Sequence, residues 1–185
     1  MNLENLPISM LQANLDHTPQ FPLPTPFSLR GYQPGDEANW VNIHLKADKY
    51  SDISNQLFFK EFGEDSALLA ERQFYLCHET GAAIGTASAW FNPNYNEQAF
   101  GKVHWVALDP AYQGQGLAKP LLTAVCNRLR ALGHQQTYLH TSTARIPAIN
   151  LYLNFGFIPE IRHQEDIRAW QVVKTVITHP ALSDI

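Results

Sequence analysis

The stretch Leu108-Asp109-Pro110-Ala111-Tyr112-Gln113-Gly114-Gln115-Gly116-Leu117-Ala118 joins a strand-like run to a helix-like run, and its reading decides the fold. A glycine-containing turn that enters a helix presents backbone N–H groups that the helix cannot pair with its own carbonyls. Those groups lie at the positive end of the helix dipole, where a phosphate is welcome. Gly114 and Gly116 leave room for a ligand to come close to the backbone. A P-loop would need Gly-Lys-Ser/Thr after its first glycine and four spacers, and the dinucleotide fingerprint would need a third glycine where Lys119 stands. Both readings fail on residue identity. On the two glycines alone, a tight turn before a helix remains the plain alternative.

Working outward, residues 102–108 alternate as a strand, with Val103, Trp105 and Ala107 on one face and His104, Val106 and Leu108 on the other. Residues 115–132 read as a helix, because Leu117, Leu121, Val125, Leu129 and Leu132 recur on one side. Pro120 falls in its first turns, where a missing N–H costs little, and Gly133 ends it. Beyond lie a strand at 136–141, a helix at 146–155, and strands at 157–161 and 169–177. Toward the N-terminus the pattern predicts a strand at 27–32 and a helix through Lys46 capped by Asp36. A second helix at 53–62 carries Leu57, Phe58 and Phe62. Strands at 73–78 and 82–91 turn at Glu79-Thr80-Gly81, and residues 92–96 read as a loop. Residues 1–26, punctuated by Pro7, Pro19, Pro22, Pro24 and Pro26, are expected to form an extended arm, and 27–185 a single domain. The fold class expected is a mixed α/β domain of about seven strands and about four helices.

The loop resembles the acetyl-CoA signature of the GCN5-related N-acetyltransferase (GNAT) superfamily, Gln/Arg-x-x-Gly-x-Gly/Ala, which Gln113, Gly116 and Ala118 satisfy in register. Leu108-Asp109-Pro110 is similar to the family's Val-x-Pro lead-in. Ala148-Ile149-Asn150-Leu151-Tyr152 and Phe155-Gly156-Phe157 are similar to its Ala-x-x-Leu-Tyr and Gly-Phe elements. The resemblance implies a cofactor-binding segment of Gln113, Gly114, Gln115, Gly116, Leu117, Ala118 and Lys119. It also implies that the backbone of Val106, Ala107 and Leu108 lies along the pantetheine arm like an added strand. Many members carry Asn three residues before the alanine. Arg145 stands there in this chain, which leaves a cofactor phosphate contact and a surface position both open. The implied reaction is direct attack of an amine on the thioester, with rate drawn mostly from holding two reactants together.

Tyr152 occupies the family's tyrosine position and is expected to give a hydrogen bond to the departing thiolate, the alternative being a packed core tyrosine. His104 is the candidate base, because it stands nine residues before Gln113, as in arylalkylamine N-acetyltransferases, and an imidazole titrates near pH 6.5. A hydrogen-bonded strand histidine is the other reading. An acceptor pocket is expected between the first two helices and the loop after Phe91, where Trp40, Tyr50, Phe58, Phe59, Trp90 and Tyr95 supply aromatic surface, most of it read as core. The acceptor expected is a small primary amine. A protein N-terminus or lysine is the alternative within the fold, and a non-catalytic acyl-CoA-binding module the alternative outside it.

Composition narrows the partners. The chain has 185 residues, 45% hydrophobic and 16% charged, with a net charge of −4 and no Lys/Arg run of the kind that grips nucleic acid. No apolar run approaches the roughly 20 residues that span a bilayer, and the start lacks a basic cluster before an apolar stretch, so the expected location is the cytoplasm. Cys77 and Cys126 have no metal-ligand spacing, nor do the eight histidines, and no metal is expected. Sheet edges in such folds often pair, so a homodimer is compatible with this reading.

Overall fold

The computed structural model describes residues 3–185. Its strands are β1 (Pro7–Gln12), β2 (Ser28–Gly31), β3 (Gln73–Cys77), β4 (Ala83–Tyr95), β5 (Gln98–Leu108), β6 (Thr137–Ser142) and β7 (Ile158–Glu160). The helices are α1 (Asp36–Ala47), α2 (Asn55–Phe62), α3 (Ser66–Arg72), α4 (Ala118–Ala131), α5 (Ile146–Asn154) and α6 (Gln164–Lys174). The strands form one mixed sheet in the order β2-β3-β4-β5-β6-β1-β7. The chain divides into two compact units. One holds the chain up to Pro19 with Phe91–Lys102 and Leu129–Ile185, and the other holds Gln20–Trp90 with Val103–Arg128.

In the first unit, β1 pairs antiparallel with β6 on one side and β7 on the other, with Met10 opposite both Leu139 and Pro159. The residues expected to form only an arm therefore supply an interior strand. Its alternate residues Ile8, Met10 and Gln12 are buried, a period of two that the flanking prolines obscured. β5 pairs parallel with β6 at Gly101–Thr137 and Lys102–Tyr138. The expected loop at 92–96 is instead the end of β4, and the chain reverses at Asn96 and Glu97, with φ of 54° and 63°. Two consecutive left-handed residues make the turn that suits the twist of a hairpin. The expected strand at 169–177 is largely α6. Ala169, Trp170 and Val173 are buried at helical spacing, and the Asp166 carboxylate accepts the N–H groups of Arg162 (2.8 Å) and His163 (2.9 Å) at its start.

In the second unit, β2, β3 and β4 form an antiparallel ladder. α3 lacked a sequence signal long enough to stand out, and Asp65 caps it by accepting from Ala67 and Leu68 N–H. Asp36 does not cap α1; Gly35 does, in a left-handed conformation, while Asp36 begins the helix and accepts from Arg30 and from Gln33 N–H. Residues 20–21 lie along α4, where Gln20 and Asn127 exchange side-chain hydrogen bonds and Phe21 N–H donates to Thr123 Oγ1. The core is aromatic, with Trp40, Phe58, Phe62 and Tyr75 all buried. His44 belongs to this core. Its ring lies 4.1 Å from that of Trp40 and 5.2 Å from that of Trp105, and Nδ1 donates to the Trp40 carbonyl at 2.9 Å.

Burial pushes the His44 imidazole down to about 4, against which the Trp40 carbonyl pulls weakly upward. The unfolded chain therefore binds this proton near pH 6.5 and the folded chain does not until about 4, so folding stability is lost as pH falls through that window. The single group contributes a slope of roughly 1.4 kcal/mol per pH unit. Urea unfolding measured from pH 7 to 4 is expected to show this slope in the wild-type protein and to lose it in His44→Gln. Parallel profiles in the two proteins would contradict a neutral buried His44.

Candidate functional site

β5 ends at Leu108, and the residues just beyond it are held by one backbone bond to β4 and by several side chains. Asp109 N–H donates to the Ile84 carbonyl at 2.7 Å, and its carboxylate accepts from Ala111 N–H at 3.0 Å. Lys46, in the last turn of α1, reaches the same carboxylate at 2.7 Å. Lys46 and the Ala111 N–H together hold the Asp109 carboxyl below its ordinary value. Gln113 folds its amide back to the Leu108 carbonyl at 2.9 Å, and Gln115 reaches the Ala111 carbonyl at 3.3 Å. The Gln113 of the sequence signature thus braces the loop against the strand end.

Gly114 and Gly116 take φ of 76° and 79°, left-handed values that a side chain resists, and a Cβ built on either would meet nothing within 4 Å. Among the described residues, the next backbone donor after Gln113 is Lys119, whose N–H meets the Gly116 carbonyl at 3.1 Å. The N–H groups of Gly114, Gln115, Gly116, Leu117 and Ala118 are left without a backbone acceptor at the entrance to α4. This open, donor-rich turn at a helix N-terminus fits a diphosphate. Gly114, Gln115 and Gly116 are exposed, Leu117 is buried beneath them, and the Lys119 ammonium lies 5.1 Å from the Phe21 ring.

His104 lies on β5 a few residues before this loop, half-buried, with Nε2 2.9 Å from Glu61 Oε2 on α2. Trp105 Nε1 donates to the same oxygen at 3.1 Å. Neighbouring residues of a regular strand face opposite ways, so the expected separation of His104 from Trp105 does not hold. The cause is a left-handed Trp105, φ 49°, which rotates the strand locally and turns both side chains to one carboxylate. Beyond Trp105, Val106 is half-buried, and Ala107 and Leu108 are buried. The Phe62 ring lies 5.4 Å from that of His104. Of the aromatic residues expected around an acceptor, Trp40 and Phe58 are fully buried core, Trp90 packs on Phe62, and Tyr50 and Phe59 are exposed. Tyr95 belongs to the other unit, stacked on Tyr138 at 3.6 Å.

Arg145 and Tyr152 lie in the first unit. Arg145 is half-buried and caps α5, its carbonyl accepting from Ala148 and Ile149 N–H at 3.0 Å. Tyr152 is buried on α5 with its ring 5.9 Å from Phe157, and its carbonyl accepts from Phe157 N–H across the left-handed Gly156. The Ala-x-x-Leu-Tyr and Gly-Phe elements are thus one packed corner. Glu61 and Lys46 had no signal in the sequence, since each looks like one more charge on an amphipathic helix. Only the fold shows that one meets the strand and the other the loop.

The model of the Acetyltransferase (GNAT) family matches residues 39–157. A mycothiol acetyltransferase of Amycolatopsis mediterranei strain U-32 is 30% identical over 148 residues, which cover 76% of this chain and 48% of that protein. A glucosamine 6-phosphate N-acetyltransferase of Trypanosoma brucei brucei is 33% identical over 84 residues, 44% of this chain and 55% of that protein. The chain spans about half the length of the curated relatives it matches. Among solved structures, a GCN5-related N-acetyltransferase from Sphaerobacter thermophilus superposes with a TM-score of 0.67 at 18% identity, over 84% of this chain and 50% of that one, a likeness of fold. With the family model covering both the phosphate-suited turn and the Tyr152 corner, this chain belongs to the GNAT acetyltransferase family.

Proposed function

We propose that this chain transfers the acetyl group of acetyl-CoA to the primary amine of a small molecule, by direct attack in a ternary complex. The observation that carries the proposal is the run of N–H groups from Gly114 to Ala118 that, among the described residues, have no backbone acceptor at the entrance to α4. They would hold the pyrophosphate of the cofactor by backbone dipoles, so a chain of net charge −4 needs no basic cluster there. Gly114 and Gly116 keep the approach clear, and Gln113 and Asp109 hold the turn in place. The backbone of Val106, Ala107 and Leu108 is the segment the family resemblance assigns to the pantetheine arm. Acetyl-CoA supplies the activated thioester; the protein's part is to bind it, orient the amine and manage protons.

The attacking nitrogen must be neutral, and His104 is the group on β5 suited to take its proton, ten residues before Gly114, where the donor-rich turn begins. Tyr152 keeps the role that its place in the Ala-x-x-Leu-Tyr element implies, donating a hydrogen bond to the departing sulfur. A small acceptor is supported by the relatives above, which are named for acetylating mycothiol and glucosamine 6-phosphate.

Calorimetric titration with acetyl-CoA tests the cofactor site without knowledge of the acceptor. Micromolar binding is expected, weakened by about a hundredfold or more in Gly116→Val, whose branched side chain opposes a left-handed backbone. Absence of binding at millimolar cofactor in the folded wild-type protein would reduce the loop to a turn and remove the proposal. With an amine that elicits thiol release, Tyr152→Phe is expected to lower turnover by about tenfold or more and leave acetyl-CoA binding intact. An unchanged turnover would take Tyr152 out of the chemistry.

A further inference from the structure

We infer that Glu61 is the positioning residue for His104, fixing its tautomer and stabilising the imidazolium formed when the amine gives up its proton; the inference rests on the reading of His104 as the base. A neutral imidazole has one N–H and one lone pair. With Nε2 2.9 Å from Glu61 Oε2, the favoured tautomer carries its proton on Nε2, which places the lone pair on Nδ1. As the amine nitrogen bonds to the thioester carbonyl carbon, its proton passes to that lone pair. The carbonyl π pair, displaced onto oxygen by that bond, then re-forms C=O as the C–S bond breaks with its electron pair on sulfur. The imidazolium gives its proton to that thiolate or to solvent, which regenerates the base. The imidazolium formed in between is one positive charge beside one carboxylate, an arrangement that favours the protonated ring.

Three features separate this from an ordinary ion pair between a helix and a strand. First, Glu61 Oε2 is shared: Trp105 Nε1 donates to it at 3.1 Å, so the carboxylate is held from two sides. Second, the sharing depends on a left-handed Trp105, φ 49°, a conformation that a bulky residue adopts only at a cost. A strand that merely buried an indole would not need it, whereas a left-handed residue breaks the alternation and re-aims the side chains beside it. Third, Phe62 on α2 packs against the ring, and His44 on α1, which is coupled to it electrostatically, is kept neutral by burial down to about pH 4. Glu61, on α2, is the anionic partner in this set, and it is more open to solvent than His104, with side-chain exposures of 26% and 11%.

The test is a histidine-ring NMR titration of the full chain, wild type, Glu61→Gln and Trp105→Phe, with the His104 signal assigned by its loss in His104→Gln. No acceptor is needed. Wild type is expected to show His104 mainly as the Nε2–H tautomer. In Glu61→Gln the ring should titrate about one pH unit lower and lose its tautomer bias, with Trp105→Phe shifted in the same sense but less. With acetyl-CoA and glucosamine 6-phosphate, or another primary amine that elicits thiol release, Glu61→Gln should lower kcat by about tenfold at neutral pH and move the acidic limb of the pH–rate profile to lower pH. KM for acetyl-CoA should not change. Identical His104 titration and tautomer in wild type and Glu61→Gln, both folded, would overturn the inference. An acidic limb that survives in His104→Gln would instead overturn the reading of His104 as base, which the ring titration alone cannot do, so the two failures are distinguishable.

Discussion

A helix cannot pair its own first N–H groups, and the arrangement around the entrance to α4 follows from that limit. In most helices a side chain caps these donors. Here the residues that could do so are turned elsewhere: Gln113 braces the Leu108 carbonyl, Asp109 serves Ala111 and Lys46, and Gln115 reaches back to Ala111. Two left-handed glycines then carry the chain into the helix with no side chain over the turn. Unpaired backbone donors are costly unless something answers them. The family of this chain, and the proposal made for it, supply an answer in the phosphates of a coenzyme.

β5 meets a second demand. It must end where the loop begins and must also present an imidazole toward α2 together with its neighbour, which a regular strand cannot do. The left-handed Trp105 resolves the conflict by placing two N–H donors on one oxygen of Glu61. Behind it the aromatic core excludes water so fully that His44 stays uncharged. The second unit therefore holds two histidines of opposite character, one kept neutral by burial and one resting on a carboxylate.

Local chemistry was legible in the sequence and long-range pairing was not. The Gln113-x-x-Gly116-x-Ala118 turn and the Ala148-to-Tyr152 helix were visible because each is written in consecutive residues. The strand count matched, although a different segment supplies one strand. Pro7–Gln12 looked like an arm because prolines surround it, yet its pairing with two strands far along the chain overrode that local signal. Residues 169–177 looked like a strand because Val172, Val173, Val176 and Ile177 favour one, but Trp170 and Val173 needed helical spacing to be buried together. The alternation of β5 concealed the turn in its backbone, since nothing in Val103-His104-Trp105 marks a left-handed residue, and Glu61 was hidden with it.

Amide hydrogen exchange read by NMR, with and without coenzyme A, addresses the central claim most directly, because it reports on the loop donors one at a time. The amides of Gly114, Gln115, Gly116, Leu117 and Ala118 are expected to exchange rapidly in the free protein. They should become protected on saturation with coenzyme A, and also with 3′-phosphoadenosine 5′-diphosphate, which keeps the pyrophosphate but lacks the pantetheine arm. Protection confined to other segments, with these five amides unchanged while coenzyme A is bound, would contradict it.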